Sequence, residues 1–136
     1  MAEILQVITG ENSTWQREAW SDESDAALSE LLEDGRAEII HEIESGISDL
    51  WRVDYGGDKK GWMITRLDVD QLGGKELVLI AGRGNGMELA VDDLKNGCKL
   101  LGIKTIRAHS HRKGYERLVG RMGFKYVESV FRCEIA

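Results

Sequence analysis

The chain has 136 residues, 42% of them hydrophobic and 31% charged; this suits one folded domain over residues 1–136 and excludes a disordered chain. No apolar run approaches the roughly 20 residues of a membrane helix, and residues 1–10 lack the basic region and cleavage motif of a secretory leader. Net charge is −6 but unevenly divided: residues 1–50 carry 13 acids against Arg17 and Arg36, while residues 51–136 carry 16 basic residues against 11 acids, scattered rather than interleaved with aromatics, which argues against nucleic acid as a partner.

Ile4 to Ile8 is a short apolar run with the length of a first strand, and Thr9 to Thr14 is turn-like. Trp15 to Trp20 has no clear period and reads as a short helix or an irregular packed segment. Ser21 or Asp22 caps a helix whose first turn is acidic. From there Leu28, Leu31, Leu32, Ile39, Ile40, Ile43 and Ile47 keep helical spacing. Gly35 interrupts it, so the segment is one bent helix or two short ones. Leu50 to Tyr55 and Trp62 to Leu67 read as strands of a hairpin, joined by the turn Gly56-Gly57-Asp58-Lys59-Lys60-Gly61. Asp68 to Lys75, with Gly73-Gly74, is another turn.

The stretch from Glu76 to Leu101 organises the chain. Its apolar run to Gly82 has the length of a buried strand, and Arg83-Gly84-Asn85-Gly86 is a glycine-rich turn. Met87, Val91, Leu94, Cys98 and Leu101 then recur at steps of three and four, one face of a helix that ends near Gly102. A strand entering a helix through a glycine turn aims free backbone N–H groups and the positive helix end at the turn. That makes an anion site, commonly for phosphate. The same pattern also describes a tight connection with no ligand, because short glycine patterns are weak signals. Ile103 to Ala108 is the next strand. With a helix between them, it should lie parallel to Leu77–Gly82 and beside it. His109-Ser110-His111 leads to a helix from Arg112 to Met122, which Gly123 ends, and Phe124 to Ile135 holds further strand pattern. This order predicts an α/β (α+β) fold with a mixed central sheet flanked by helices. Cys98 and Cys133 read as reduced core thiols, which implies a reducing compartment such as the cytoplasm.

The order of elements resembles the GNAT superfamily of N-acetyltransferases. In that family a long strand feeds a loop of pattern Gln/Arg-x-x-Gly-x-Gly/Ala, and the following helix points at the pyrophosphate of acetyl-CoA. Arg83-Gly84-Asn85-Gly86-Met87-Glu88 matches the first Arg and the middle Gly, with Glu88 where the family has Gly or Ala. A second match lies further on. Ala108, Arg112, Leu118 and Gly123-Phe124 fall at the family's spacing, with Arg112 in place of an Asn and Tyr115 of an Ala. Val119 replaces the Tyr that serves as general acid toward the leaving thiolate. The resemblance covers residues 50–136 and extends to small, diverged GNAT-like proteins of bacteriophages, some of them virion components. It implies a GNAT-like fold, acetyl-CoA as cosubstrate and an amine acceptor, and it is compatible with a homodimer. It also implies a cofactor-binding segment made of Leu79, Ile80, Ala81, Gly82, Arg83, Gly84, Asn85, Gly86 and Met87.

Acetyl transfer needs a deprotonated amine, a polarised thioester carbonyl and a proton for the leaving thiolate. By resemblance, this occurs where Leu77–Gly82 and Ile103–Ala108 splay apart. His109 and His111 follow the second strand and titrate in the useful range, although loop or capping histidines would stand in the same place. Asp68 and Asp70 could hold a cationic amine, or simply form a turn. Tyr115 is a candidate substitute acid or a core aromatic. His41 lies among acids and reads as solvated. There is no zinc-ligand spacing, no Gly-x-Ser-x-Gly elbow and no Gly-Lys-Ser/Thr ending, so no metal or nucleotide P-loop is expected. Two function classes follow. One is an acetyl-CoA-dependent N-acetyltransferase. The other is a catalytically inactive GNAT-like binding or structural protein, such as a virion or host-interaction component, for which Glu88 and Val119 speak.

Overall fold

A computed structural model describes residues 7–32, 35–56, 60–84 and 87–108. β1 (Val7–Thr9), β2 (Thr14–Glu18), β3 (Ser48–Asp54), β4 (Lys60–Val69) and β5 (Lys75–Gly84) follow one another across a sheet, each antiparallel to the last. α1 (Asp22–Leu32) and α2 (Arg36–Glu44) lie between β2 and β3 in the chain. α3 (Met87–Leu100) crosses from β5 to β6 (Thr105–Ala108), and β6 completes the strand order β1-β2-β3-β4-β5-β6 among the described residues. β5 and β6 pair in parallel from Glu76–Thr105 to Leu79–Ala108. The expected parallel adjacency is therefore observed, and the 14-residue helix α3 supplies the crossover it requires.

Alternate side chains on β3 and β4 feed two cores. Trp51, Val53 and Met63 meet Trp15, Leu77, Leu79 and the α3 residues Ala90, Leu94 and Cys98 on one face. Leu50, Trp62 and Ile64 meet Leu28, Leu32 and Ile43 of α1 and α2 on the other. The sheet is thus the middle of three layers, as the mixed α+β reading expects. Leu50 and Ile64 are 0% exposed, and side chains of this kind contribute about 1.5–3 kcal/mol each by leaving water. The buried Trp51 indole N–H donates to Thr65 Oγ1 at 2.9 Å, so neither polar group is left unpaired inside the core.

The helix ends follow the sequence closely. Ser21 Oγ accepts the Ser24 N–H at 3.2 Å while Ser24 Oγ accepts the Ser21 N–H at 2.9 Å, a reciprocal cap on α1. Gly35 does separate two helices. α2 ends where Gly46 takes φ +81°, with the Ile47 N–H donating to the Glu42 carbonyl. α3 ends the same way at Gly102, φ +74°, with the Ile103 N–H on the Cys98 carbonyl. Both are left-handed terminations that glycine adopts without a Cβ penalty.

Several expectations need correction. Thr9 and Thr14 lie in β1 and β2, Lys60 and Gly61 open β4, and Arg83 and Gly84 close β5, because backbone pairing to a neighbouring strand extends into stretches whose glycines and polar residues read as turns. Trp15 to Trp20 is neither a helix nor irregular: Thr14–Glu18 is the strand β2, in register with Trp51 through the pair Arg17–Trp51. Ile47 continues the helical spacing but lies beyond the end of α2 and is exposed. Asp68 belongs to β4, opposite Glu76, so the turn spans only 70–74. The expected helix from Arg112 to Met122, the strand pattern after Phe124 and Cys133 lie outside the described residues. Among the described residues, no helix is long and apolar enough to cross a membrane.

Candidate functional site

The site is built on the second half of β5. Along this strand burial falls steadily: Leu77, Val78 and Leu79 are buried, Ile80 and Ala81 are intermediate, and Gly82, Arg83 and Gly84 are exposed. Pairing with β6 ends at Leu79–Ala108 among the described residues, while pairing with β4 continues to Gly61–Gly84. β5 thus pairs with β4 as far as Gly84, and α3 begins three residues later at Met87.

A β-bulge marks the place where this happens. The β4–β5 register jumps from Ile64–Ala81 to Thr65–Leu79 and leaves Ile80 without a ladder partner on β4. Leu77 and Leu79 pack with the α3-side core, whereas Ile80 and Ala81 both pack with the α1–α2 core. The extra residue thus re-aims the strand and exchanges the faces of everything beyond it. Sequence reasoning missed this bulge, because an unbroken apolar run carries no sign of the residue that will slip.

Beyond the bulge, Arg83 stands opposite Trp62 and its guanidinium lies 3.5 Å from the Glu30 carboxylate of α1. Both side chains are well exposed, so this ion pair is weak and easily exchanged for another anion. At the same end of the sheet, Thr14, Gln16, Arg52, Asp54 and Lys60 line a polar hollow of about 370 Å³. Arg52 lies over the Trp62 ring at 5.9 Å and pairs with Glu18 at 3.7 Å.

The acidic candidates lie elsewhere. Asp68 faces Glu76, eight residues before Gly84 in β5, which is roughly 26 Å along an extended strand. It accepts from Arg66 Nε at 2.8 Å and from Arg107 Nη2 at 3.0 Å. The Arg66 hydrogen bond, reinforced by Arg107, holds the Asp68 carboxyl below its ordinary pKa. Arg66 also reaches Glu42, and Arg107 reaches Glu76, so charged pairs join β4, β5 and β6 at the end where the parallel ladder begins. Asp70 binds its own turn, accepting the Leu72 N–H at 2.9 Å and the Gly74 N–H at 2.7 Å. The structure thus brings Leu79, Ile80, Ala81, Gly82, Arg83 and Gly84 together with the start of α3, and sets Asp68 and Asp70 apart from them. Asn85, Gly86, His109, His111, Tyr115 and Val119 lie outside the described residues.

No family model matches the chain, and no curated protein matches it in sequence. Solved structures do share its fold. A ribosomal-protein-alanine N-acetyltransferase from Brucella melitensis biovar Abortus 2308 is 11% identical with a TM-score of 0.63, over 90% of this chain and 99% of that one. An aminoglycoside acetyltransferase from an uncultured soil metagenomic sample, solved with sisomicin, is 7% identical with a TM-score of 0.60, over 92% and 96%. A transcriptional regulator from Bacillus halodurans C-125 is 13% identical with a TM-score of 0.58, over 89% and 99%. The chain therefore has the mixed sheet and flanking helices of GNAT-like acetyltransferase folds.

Proposed function

We propose that this protein is an N-acetyltransferase that takes its acetyl group from acetyl-CoA and passes it to an amine. The observation that carries the reading is the bulged half of β5, which pairs in parallel with β6 from Glu76–Thr105 to Leu79–Ala108, runs on beside β4 to Gly84 and is followed in the chain by the 14-residue helix α3. The residues suit the cosubstrate. Gly82 and Gly84 put no side chain on this end of the strand, Arg83 offers a cation for phosphate, and the first-turn amides of a helix such as α3 have no intrahelical acceptor. Acetyl-CoA would supply an activated thioester. The backbone donors of the Ile80–Ala81 bulge are the groups closest to hand for its carbonyl. In the reaction the amine nitrogen bonds to the acetyl carbon, the carbon–sulfur bond breaks, and one amine proton ends on the CoA sulfur. His109 and His111, which follow β6 in the sequence, and Tyr115 are the residues proposed to move that proton. Asp68 and Asp70 are the acidic candidates for the amine, although the arginines and the turn already engage them.

A second reading rests on Glu88 and Val119, which replace a small loop residue and the thiolate acid of the resembled family. In that reading the fold is kept as a binding or structural module, cytoplasmic or carried in a virion, and it performs no chemistry. The regulator from Bacillus halodurans C-125 has the same fold under a different description, so fold alone does not decide between the two.

Thiol release from acetyl-CoA, measured against polyamines, aminoglycosides and protein amines, separates these readings. Release that depends on one amine class, and that falls about 100-fold or more in either His109→Ala or His111→Ala, supports the enzyme. No release with any acceptor, from protein that also fails to bind acetyl-CoA, supports the module.

A further inference from the structure

One end of the α1–α2 face of the sheet is polar. Residues opposite each other in an antiparallel ladder share a face, and every second residue along a strand returns to it. Leu50 and Ile64 lie in the core under α1 and α2, so Arg52 and Asp54 of β3 and Trp62 and Lys60 of β4 are on their face. The register sets Gln16, Arg52, Trp62 and Arg83 in one row across four strands, and Thr14, Asp54 and Lys60 in the next. The hollow of about 370 Å³ described above lies over these two rows, lined by Thr14, Gln16, Arg52, Asp54 and Lys60. That is room for a small polar molecule.

The groups around it carry mixed charge. The Arg52 guanidinium lies 5.9 Å from the centre of the buried Trp62 ring, and its contact with Glu18 is a single one of 3.7 Å. The indole holds the cation in place, and one long ion pair leaves most of its five donors for another anion. Lys60 stands opposite Asp54 in the ladder. Among the described residues, the side chains of Lys60, Gln16 and Thr14 have no hydrogen-bond or ion-pair partner. Asp54 accepts the Gly56 N–H with one carboxylate oxygen at 2.9 Å, and its second oxygen has no such partner among the described residues. Two cations attract an oxyanion. The carboxylate beside them repels a bare one and favours a ligand that also brings a hydroxyl or an ammonium.

We propose that this hollow is a binding site for a small polar molecule whose phosphate or carboxylate sits on Arg52 and Lys60, and whose neighbouring hydroxyl or ammonium donates to Asp54. Binding here requires no acetyl-CoA, and the test is made without it.

Calorimetric titration of the full chain with glucose 6-phosphate, serine, inorganic phosphate and glucose tests the site. Glucose 6-phosphate represents a phosphate ester with hydroxyls, and serine a carboxylate with an ammonium. One of these two should bind saturably at millimolar concentration or below, and which one does so assigns the oxyanion. Lys60→Gln and Arg52→Gln should each weaken that ligand roughly tenfold, the scale of one lost hydrogen bond to a charged group. Lys60→Gln, at an exposed side chain, should keep the wild-type melting temperature. Lys75→Gln removes an exposed lysine at the far end of β5 and should change neither. Asp54→Asn should shift the preference from the organic ligand toward inorganic phosphate. No saturable binding of either organic ligand, or glucose binding as tightly as glucose 6-phosphate, would overturn the inference. Equal affinity in wild type and Lys60→Gln, or an equal loss in Lys75→Gln, would overturn it as well, since the anion would then answer to overall charge or to another place. An unchanged preference in Asp54→Asn would overturn the part given to that carboxylate.

Discussion

The Ser13 hydroxyl donates to the buried Asp93 carboxylate at 2.5 Å and accepts the Trp15 indole N–H at 3.1 Å, a relay that ties α3 to the β1–β2 turn. Asp93 also accepts the Asn12 N–H at 3.1 Å. Gly10 is close enough that a Cβ there would collide with the carboxylate carbon. Removing the carboxylate strands donors that water cannot easily reach, at about 1–3 kcal/mol for each unsatisfied group. Asp93→Ala should therefore lower the urea midpoint clearly, and Gly10→Ala should lower it through the collision. Wild-type midpoints in both would show that the turn does not depend on the carboxylate.

Asp68 makes stability sensitive to acid. Its pKa in the folded protein lies below the ordinary 3.8 because Arg66 and then Arg107 favour the carboxylate. A depressed carboxyl pKa stabilises the fold above the unfolded value, and the contribution disappears as pH falls through the folded one. The side chain is 38% exposed, so solvent screening keeps the effect modest. Asp68→Asn should lower the melting temperature at pH 7, and the difference should shrink steadily as pH falls below 3.8. A melting temperature unchanged at pH 7 would mean that Arg107 holds β6 through Glu76 alone.

Arg83 should separate binding from stability. Its contact with Glu30 is long and exposed, and pairs of this kind contribute about 0–1 kcal/mol. Arg83→Ala should unfold at nearly the wild-type denaturant concentration yet bind acetyl-CoA several-fold more weakly. The salt dependence of binding should fall as well. Strong destabilisation would instead make Arg83 a structural link to α1.

Cys98 is 5% exposed, and burial raises its thiol pKa, so little reactive thiolate forms at neutral pH. Peptide mapping after iodoacetamide treatment should find Cys98 unmodified in the native protein and alkylated in urea. Fast native alkylation would mean that α3 lifts from the sheet far more readily than its packing suggests.

The elements were legible in the sequence wherever one face of the chain does one job. Leu28, Leu32 and Ile43 keep helical spacing, and all three sit in the core beneath α1 and α2. Gly46 and Gly102 end their helices by local chemistry. β5 and β6 could be called parallel because a helix separates them. β2 was not legible: only Trp15 among its side chains is buried, so it shows no alternation. What holds β2 in place is tertiary: its ladder with β3, the fully buried Trp15 and, beside them, ion pairs from Arg17 to Asp49 and from Glu18 to Arg52. At the candidate site, the apolar strand was legible and its surroundings were not. The Ile80 bulge hides in an apolar run. Gly61 has the composition of a turn, but β4 begins at Lys60 and sets it beside the Tyr55 hydroxyl.

The central claim is that acetyl-CoA binds along the bulged second half of β5 and at the start of α3. Amide hydrogen exchange with and without acetyl-CoA tests it most directly, because slowed exchange reports where a ligand sits as well as whether it binds. The account predicts slower exchange from Ile80 through Gly84 and in the first turn of α3, with the β1–β2 hairpin unchanged. Identical exchange at millimolar acetyl-CoA, or protection confined to a different part of the sheet, would contradict it.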